Sequence, residues 1–321
     1  MKKTLFTLLL FSTVIGMMSC RKNGSSPNIK QYDDQQIQNY ISANGITGMK
    51  RDTVGGDTSG IYYQIIEPGN GTKFDYPDSI FFTYTLKTFD GLYYNTDTVT
   101  DHYNGLAGHT APKGLTLALH DVVKYKGAKV RLLIPSHIAY GLAGAGSGSK
   151  TIVNGRIAGN QCLDYTLYVV PDPIAYDDQV IKNYIAANNL TGYTKLTSGP
   201  AAGMYYKITA VPTGTNVINI NSSVTCYYSG QLMDNSYFDT NYAPTPIAPA
   251  TTSSTTVFSD LYELTPGFRN GMLLLGKDVG SISMLIPSRL AYGNISQSGS
   301  SATIPSNSCL RFELKVTASA N

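Results

Sequence analysis

The 321-residue sequence predicts an α+β chain of two tandem units, each an antiparallel twisted sheet wrapped on a short helix behind a helical prefix. Three observations predict it. Tyr32–Gly48 (YDDQQIQNYISANGITG) returns as Tyr176–Gly192 (YDDQVIKNYIAANNLTG), identical at twelve of seventeen positions and displaced by 144 residues. Inside that repeat Ile and Tyr recur at helical spacing (Ile37, Tyr40, Ile41; Ile181, Tyr184, Ile185). Near the C-terminus Leu310, Phe312, Leu314 and Val316 alternate with Arg311, Glu313 and Lys315, the signature of a strand with one buried face.

Composition narrows the functional classes. Apolar residues make up 42% and charged residues 14%, against about 25% charged in an ordinary soluble protein. With 31 Gly and 24 Tyr, the chain reads as folded and rich in strands and turns, which excludes a disordered one. A net charge of +3 with no Lys/Arg block excludes a nucleic-acid binder. All four His (His102, His109, His120, His137) lie in the first half, so the second half holds no His-based triad and no His-ligated metal.

In chain order, residues 1–19 come first. Lys2 and Lys3 precede a short apolar run, Leu5 to Ile15, which is too short to span a bilayer of roughly 30 Å. The layout is that of a secretory signal, and Ser19-Cys20 at its end resembles the bacterial lipobox. That resemblance implies acylation of Cys20, with residues 20–27 as a polar tether to a membrane and the protein in a bacterial cell envelope, periplasmic or cell-surface. An ordinary cleaved signal is the alternative. Without Lys2 and Lys3 the chain carries about +1, so the basic balance belongs mainly to the signal. Cys162, Cys226 and Cys309 remain, an odd count, with Cys226–Cys309 a candidate bridge that spacing cannot settle.

The expected units are 28–171 and 172–321, with the seam at Pro171-Asp172-Pro173, where two prolines exclude a continuous strand. In each prefix the Asp pair (Asp33-Asp34, Asp177-Asp178) is expected at the helix N-terminus, where the dipole favours acid, and an Asn/Gly cluster stops the helix. A short Gly-bounded strand follows (SGIYYQII at Ser59–Ile66; GMYYKI at Gly203–Ile208). A longer one pairs Tyr84 with Tyr228. Thr265-Pro266-Gly267 then offers an N-cap and a proline at the first helical position, and Phe268, Met272 and Leu275 share a face. Leu115, Leu119 and Val122 keep that spacing in the first unit. VRLLIPSHIAYG (Val130–Gly141) matches SMLIPSRLAYG (Ser283–Gly293), and Ile157–Val170 matches Ile304–Val316.

This order of blocks resembles an FKBP-type peptidyl-prolyl cis–trans isomerase, twice over. The second unit carries the resemblance as Tyr228-Ser229-Gly230, Phe238-Asp239, Gly267-Phe268, Ile286 to Gly293 (IPSRLAYG), and Ile304 to Val316. It covers each unit apart from its prefix. The acylated Cys20 and the prefix are similar to envelope lipoproteins of that family. The resemblance implies isomerisation of X–Pro bonds in exported proteins without cofactor or metal. It implies Phe268 as a floor, with Tyr228, Phe238, Leu264 and Phe312 as walls. Thr265 would offer a backbone N–H, Tyr292 a hydroxyl and Ile304 a cover, while Asp239 holds the Tyr228 hydroxyl. The first unit keeps Tyr84 and Tyr140 and has Tyr165 in place of Phe312. Phe238-Asp239 becomes Tyr94-Asn95 there and the floor becomes Leu115, so its activity is expected to be weak or absent. The 28 residues between Asp239 and Phe268 exceed the matching 19 by nine, and within Thr240–Asp260 the wall residue, Val257 or Phe258, stays open.

Rival readings are poorer. Gly144 to Thr151 nearly matches GxxxxGK[ST], but Ser149 replaces the second Gly, and Gly155 and Gly159 interrupt the helix a nucleotide would need. His102 and His109 have no acid or Cys at ligand spacing. The functional alternative is a non-catalytic chaperone or scaffold module holding proline-containing segments.

Overall fold

The computed structural model describes residues 28–54, 59–95, 102–242 and 254–321. The expected signal, Cys20 and the expected tether up to residue 27 lie outside the described residues, as does the middle of the long loop, 243–253. Among the described residues no helix is long and apolar enough to cross a membrane.

The prefix helix α1 (Ile29–Ala43) leads into β1 (Lys50–Arg51), β2 (Tyr62–Glu67), β3 (Ser79–Thr88), β4 (Tyr94–Asn95) and β5 (His102–Leu106). Helix α2 (Lys113–Ala118), β6 (Lys129–Ile134) and β7 (Leu163–Val169) complete the first set. The second begins with α3 (Pro173–Ala187), β8 (Thr194–Lys195), β9 (Tyr205–Ala210), β10 (Ser223–Leu232), β11 (Tyr237–Thr240) and β12 (Thr256–Phe258). It ends with α4 (Pro266–Leu275), β13 (Gly280–Ile286), the pair β14 (Gln297–Ser298) and β15 (Thr303–Ile304), and β16 (Leu310–Ala320). The strands form two seven-stranded antiparallel sheets of the same topology. One runs β1-β2-β6-β7-β3-β4 with β5 beside β3; the other runs β8-β9-β13-β16-β10-β11 with β12 beside β10.

Each sheet buries its inner face on its short helix. In the second, Phe268, Met272 and Leu275 of α4 meet Ile282, Met284, Ile286, Leu314 and Val316. The contact is close because the helix carries glycine where it crosses the strand. A Cβ on Gly267 would collide with Ile286 and lie 3.0 Å from the Leu290 carbonyl. Gly114 stands in the same relation to Ile134, 3.1 Å from the Ile138 carbonyl. Unlike α4, α2 is short and passes into one π-helical turn, Leu119–Val123, which still buries Leu119 and Val122.

The outer face of each sheet is covered by its prefix helix. Ile181 and Tyr184 of α3 pack on Tyr205, Met233, Leu285 and Cys309; Ile37 of α1 packs on Tyr62, Leu133 and Cys162. Here the structure corrects the reading of the Asp pairs. The helices begin earlier, at Ile29 and Pro173, with Asn28 and Asp172 as side-chain caps, so neither first turn is acidic. The first Asp of each pair is instead buried under the helix. Asp177 accepts hydrogen bonds from the Ser288 N–H (2.9 Å) and hydroxyl (2.8 Å). Asp33 accepts from the Ser136 hydroxyl (2.7 Å) and from the His137 N–H (3.0 Å) and Nδ1 (2.7 Å). Burial raises the Asp177 carboxyl above its ordinary range, against the Ser288 bonds that lower it. Its neighbour Asp178 differs. Burial would raise it too, but bonds from Lys182, Lys195 and Tyr205 outweigh that and hold it at about 2.

A second polar layer lies under each helix with its charges exchanged. In the first unit Arg131 on β6 grips Asp164 on β7, which also accepts from the Tyr40 hydroxyl. In the second, Arg311 takes the strand position of Asp164 and binds Glu313 and the Tyr184 hydroxyl.

The candidate Cys226–Cys309 bridge is not formed: all three described cysteines are free and buried. Cys226 points into the inner core and Cys309 into the layer under α3, so the sheet itself separates them. Burial pushes the Cys162 and Cys226 thiols up to about 12, leaving little thiolate to react.

Asp177→Ala strands the Ser288 N–H and hydroxyl against apolar surroundings and should cost about 2–3 kcal/mol of unfolding free energy in urea melts at pH 7. Asp178→Asn should behave differently. A lowered carboxylate stabilises the fold above its unfolded value, so the advantage of wild type over this variant is full above about pH 4 and disappears towards pH 2. A difference independent of pH would refute the ion-pair assignment.

Candidate functional site

At one end of the second sheet, β10, β11, β12, β16 and α4 bring five aromatic rings together. Phe268 projects from the first turn of α4 and is 5% exposed. Its ring centroid lies 4.7 Å from Phe312 on β16, 5.4 Å from Phe258 on β12 and 6.3 Å from Tyr228 on β10, each edge-on. Phe238 meets Phe312 at 5.5 Å. Inclined rings present their positive edges to negative faces, a favourable packing that also fixes the cup's shape. Leu264 and Tyr292 pack half-buried against the cluster, and Ile304, 2% exposed, closes one side. Phe258 is the wall residue that the sequence left open; Val257 points out and is 59% exposed.

Thr265 heads α4, but its side chain makes no capping hydrogen bond. The helix start rests on Pro266, whose ring pre-sets the helical φ, rather than on the threonine hydroxyl anticipated from the motif.

Tyr228 donates its hydroxyl to Asp239 Oδ2 at 2.7 Å. The other oxygen, Oδ1, accepts from the Ser300 hydroxyl at 2.7 Å. Ser300 sits at the tip of the β14–β15 hairpin, whose Ser301 N–H also bonds the Phe238 carbonyl (2.9 Å). Asp239 thus ties a wall of the cup to the flap over it. Burial, and then the Asp239 bond and charge, raise the Tyr228 hydroxyl well above its ordinary value; burial and Asp239 also raise Tyr292. Both remain protonated donors at neutral pH.

One local device turns Phe238 inward. In the β10–β11 hairpin Gly230 faces Asp239 and Gln231 faces Tyr237, so Phe238 is the extra residue of a β-bulge. Gly230 makes room for it. A Cβ there would collide with the Phe238 ring and lie 2.9 Å from Phe312 Cε1.

The first unit lacks this device. Leu86 faces Asn95 and Lys87 faces Tyr94 in regular register, and Leu86 fills the space that Gly230 leaves open. The spare residue goes into the turn: the Thr88 N–H donates to the Tyr93 carbonyl five residues on, whereas the Leu232 N–H donates to the Ser236 carbonyl four residues on. Tyr94 therefore points outward, 44% exposed, and is not the counterpart of Phe238. Tyr93 lines the cup in its stead, with Tyr84, Leu115, Tyr140 and Tyr165, around a cavity of about 330 Å³. A larger hollow of about 870 Å³, between the outer face of the first sheet and α3, holds none of the residues of either cup except that β3 and β7 form its wall.

The family model described as FKBP-type peptidyl-prolyl cis-trans isomerase matches residues 214–317, the stretch that carries the aromatic cup. Among solved structures the chain is similar to the three FKBP domains of wheat FKBP73, at 19% identity over 85% of this chain and 99% of that one, with a TM-score of 0.33. It is also similar to FkpA from Escherichia coli (24% identity, 46% of this chain and 60% of that one, TM-score 0.36). A peptidyl-prolyl cis-trans isomerase from Pseudomonas syringae matches at 20% identity over 47% of this chain and 98% of its own, with a TM-score of 0.35. None of the curated proteins matches.

Gly230→Ala should expel Phe238 from the cup, lowering unfolding free energy by about 1–3 kcal/mol through overpacking and altering the near-ultraviolet circular dichroism of the cluster. An unchanged urea midpoint and spectrum would show that the ring does not depend on this glycine.

Proposed function

We propose that the second unit isomerises X–Pro peptide bonds in exported proteins, and that Cys20 carries the lipid that holds the chain at a membrane of the cell envelope. The observation that carries the reading is the Tyr228–Asp239 hydrogen bond beside a closed aromatic cup, within the segment matched by the isomerase family model.

The chemistry suits such a cup. Rotation about an X–Pro amide destroys its resonance and meets a barrier of about 18–20 kcal/mol. The twisted amide is less polar than the planar one, so apolar walls that exclude water favour it over the ground state. In this reading Phe268 supports the proline ring, while Phe238, Phe258, Leu264 and Phe312 exclude water around it. Tyr292 and the Thr265 N–H hold the substrate carbonyls, and Ile304 covers the bound ring. Asp239 fixes the Tyr228 hydroxyl and keeps the flap hairpin down through Ser300. Selective burial and hydrogen bonding carry the acceleration, and these residues transfer no proton.

The first unit favours the other reading, a binding module. Asn95 replaces the carboxylate, Leu115 replaces the aromatic floor, and tyrosine hydroxyls line its cavity.

In a protease-free isomerisation assay on the full chain, Phe268→Ala and Asp239→Asn should each lower kcat/KM about tenfold or more, equivalent to about 1.4 kcal/mol of transition-state stabilisation. Rates equal to wild type in both variants would leave proline binding without catalysis.

A further inference from the structure

The first unit's cup is a different kind of site from the second's, and one residue defines it. Arg156 lies on the segment after the AYG turn and lines the cavity of about 330 Å³. Its backbone is firmly placed. The neighbouring Ile157 exchanges two hydrogen bonds of 2.9 Å with Ala145 across the flap, and Gly148 and Gly155 pass so closely that neither has space for a Cβ. The guanidinium is pinned as well, since Nη2 donates to the Ala143 carbonyl at 2.6 Å. Its Nε is buried and meets no acceptor. A guanidinium stays charged at any working pH, and buried donors of this kind rarely go unpaired in folded proteins.

The rest of the lining complements an anion on a flat body. Tyr84, Tyr93, Tyr140 and Tyr165 present phenol rings and hydroxyls to the cavity, with Leu115 below. Burial raises the Tyr140 and Tyr165 hydroxyls, which keeps both protonated; the two bond each other, so the pair has one proton left to donate. A single guanidinium matches one negative charge, as on a carboxylate, better than the nearly double charge of a phosphate monoester. The volume is at the small end for ligand pockets and admits a body of about one five- or six-membered ring.

We propose that the first unit binds a small organic carboxylate borne on a single ring, with Arg156 receiving the carboxylate and the tyrosines receiving the ring. Two sources carry such a carboxylate: the free end of a chain that finishes in proline, or a free sugar acid.

Calorimetric titration of the full chain separates them. N-acetyl-L-proline is compared with N-acetyl-L-prolinamide, and glucuronate with glucose, each pair differing only at the acidic group or its neutral replacement. At least one acid should bind about tenfold tighter than its neutral partner, and the pair that shows it identifies the source. Arg156→Gln should abolish that preference, the acid then binding no tighter than its neutral partner. Equal affinities within both pairs in wild type would overturn the proposal without recourse to any variant, as would a preference that survives Arg156→Gln. Isomerisation plays no part in this readout, so its outcome is independent of the second unit's activity.

Discussion

The fold depends on a carboxylate buried where the outer helix of each unit meets the corner after a central strand. Asp33 and Asp177 reach from α1 and α3 to the Ser of the IPS turn, and each takes the hydroxyl of that serine. Burying such a group is costly unless its oxygens are satisfied. The satisfied bonds therefore fix the helix, the turn and the strand end together. The same turn carries Tyr140 or Tyr292 a few residues on, so an interaction on the outer face of the sheet fixes a side chain of the cup on the inner face. Cys162 and Cys309 sit beside these carboxylates, at 3.8 Å from Asp33 Oδ1 and 3.9 Å from the Asp177 carbonyl.

On this shared frame the two cups differ through few residues. Gly230 and the bulge admit Phe238; Leu86 and the regular register exclude its counterpart. Phe268 adds a ring where Leu115 leaves volume, and Asp239 latches the β14–β15 hairpin through Ser300, whereas in the first unit the Tyr94 N–H and the Leu92 carbonyl hold the flap through Asn154. The second cup becomes a packed cluster of aromatic rings. The first stays hollow, hydroxylated and touched by a cation.

The sequence made part of this legible. The duplicated prefix, the alternation of Leu310–Val316 and the Phe268–Met272–Leu275 face follow from periodicity, which local packing obeys. Partners across the sheet were not legible. Asp33 and Asp177 read as dipole-favoured acids because their distance from Ser136 and Ser288, more than a hundred residues along the chain, carries no local signal. Phe258 follows a loop whose length hides its register, and only its pairing with Val224 places it on the inner face. The Thr265 hydroxyl met the expected sequence position for a cap but not its bond, since proline alone sets the helix start. Arg156 belongs to no motif; its meaning lies in what surrounds it.

The hairpin that separates the cups has a further consequence. Leu86 to Asn95 and Gly230 to Asp239 span the same number of residues, and both ends face each other in both units. A gapless alignment of this hairpin in the two halves is therefore correct by count, yet it pairs Tyr94 with Phe238, one exposed and the other buried. The halves have diverged by moving one residue of slack from the tip of a hairpin into its wall. Such a change leaves no insertion or deletion within the hairpin for a comparison of sequences to detect, and duplicated hairpins can differ in this way while their lengths stay in step.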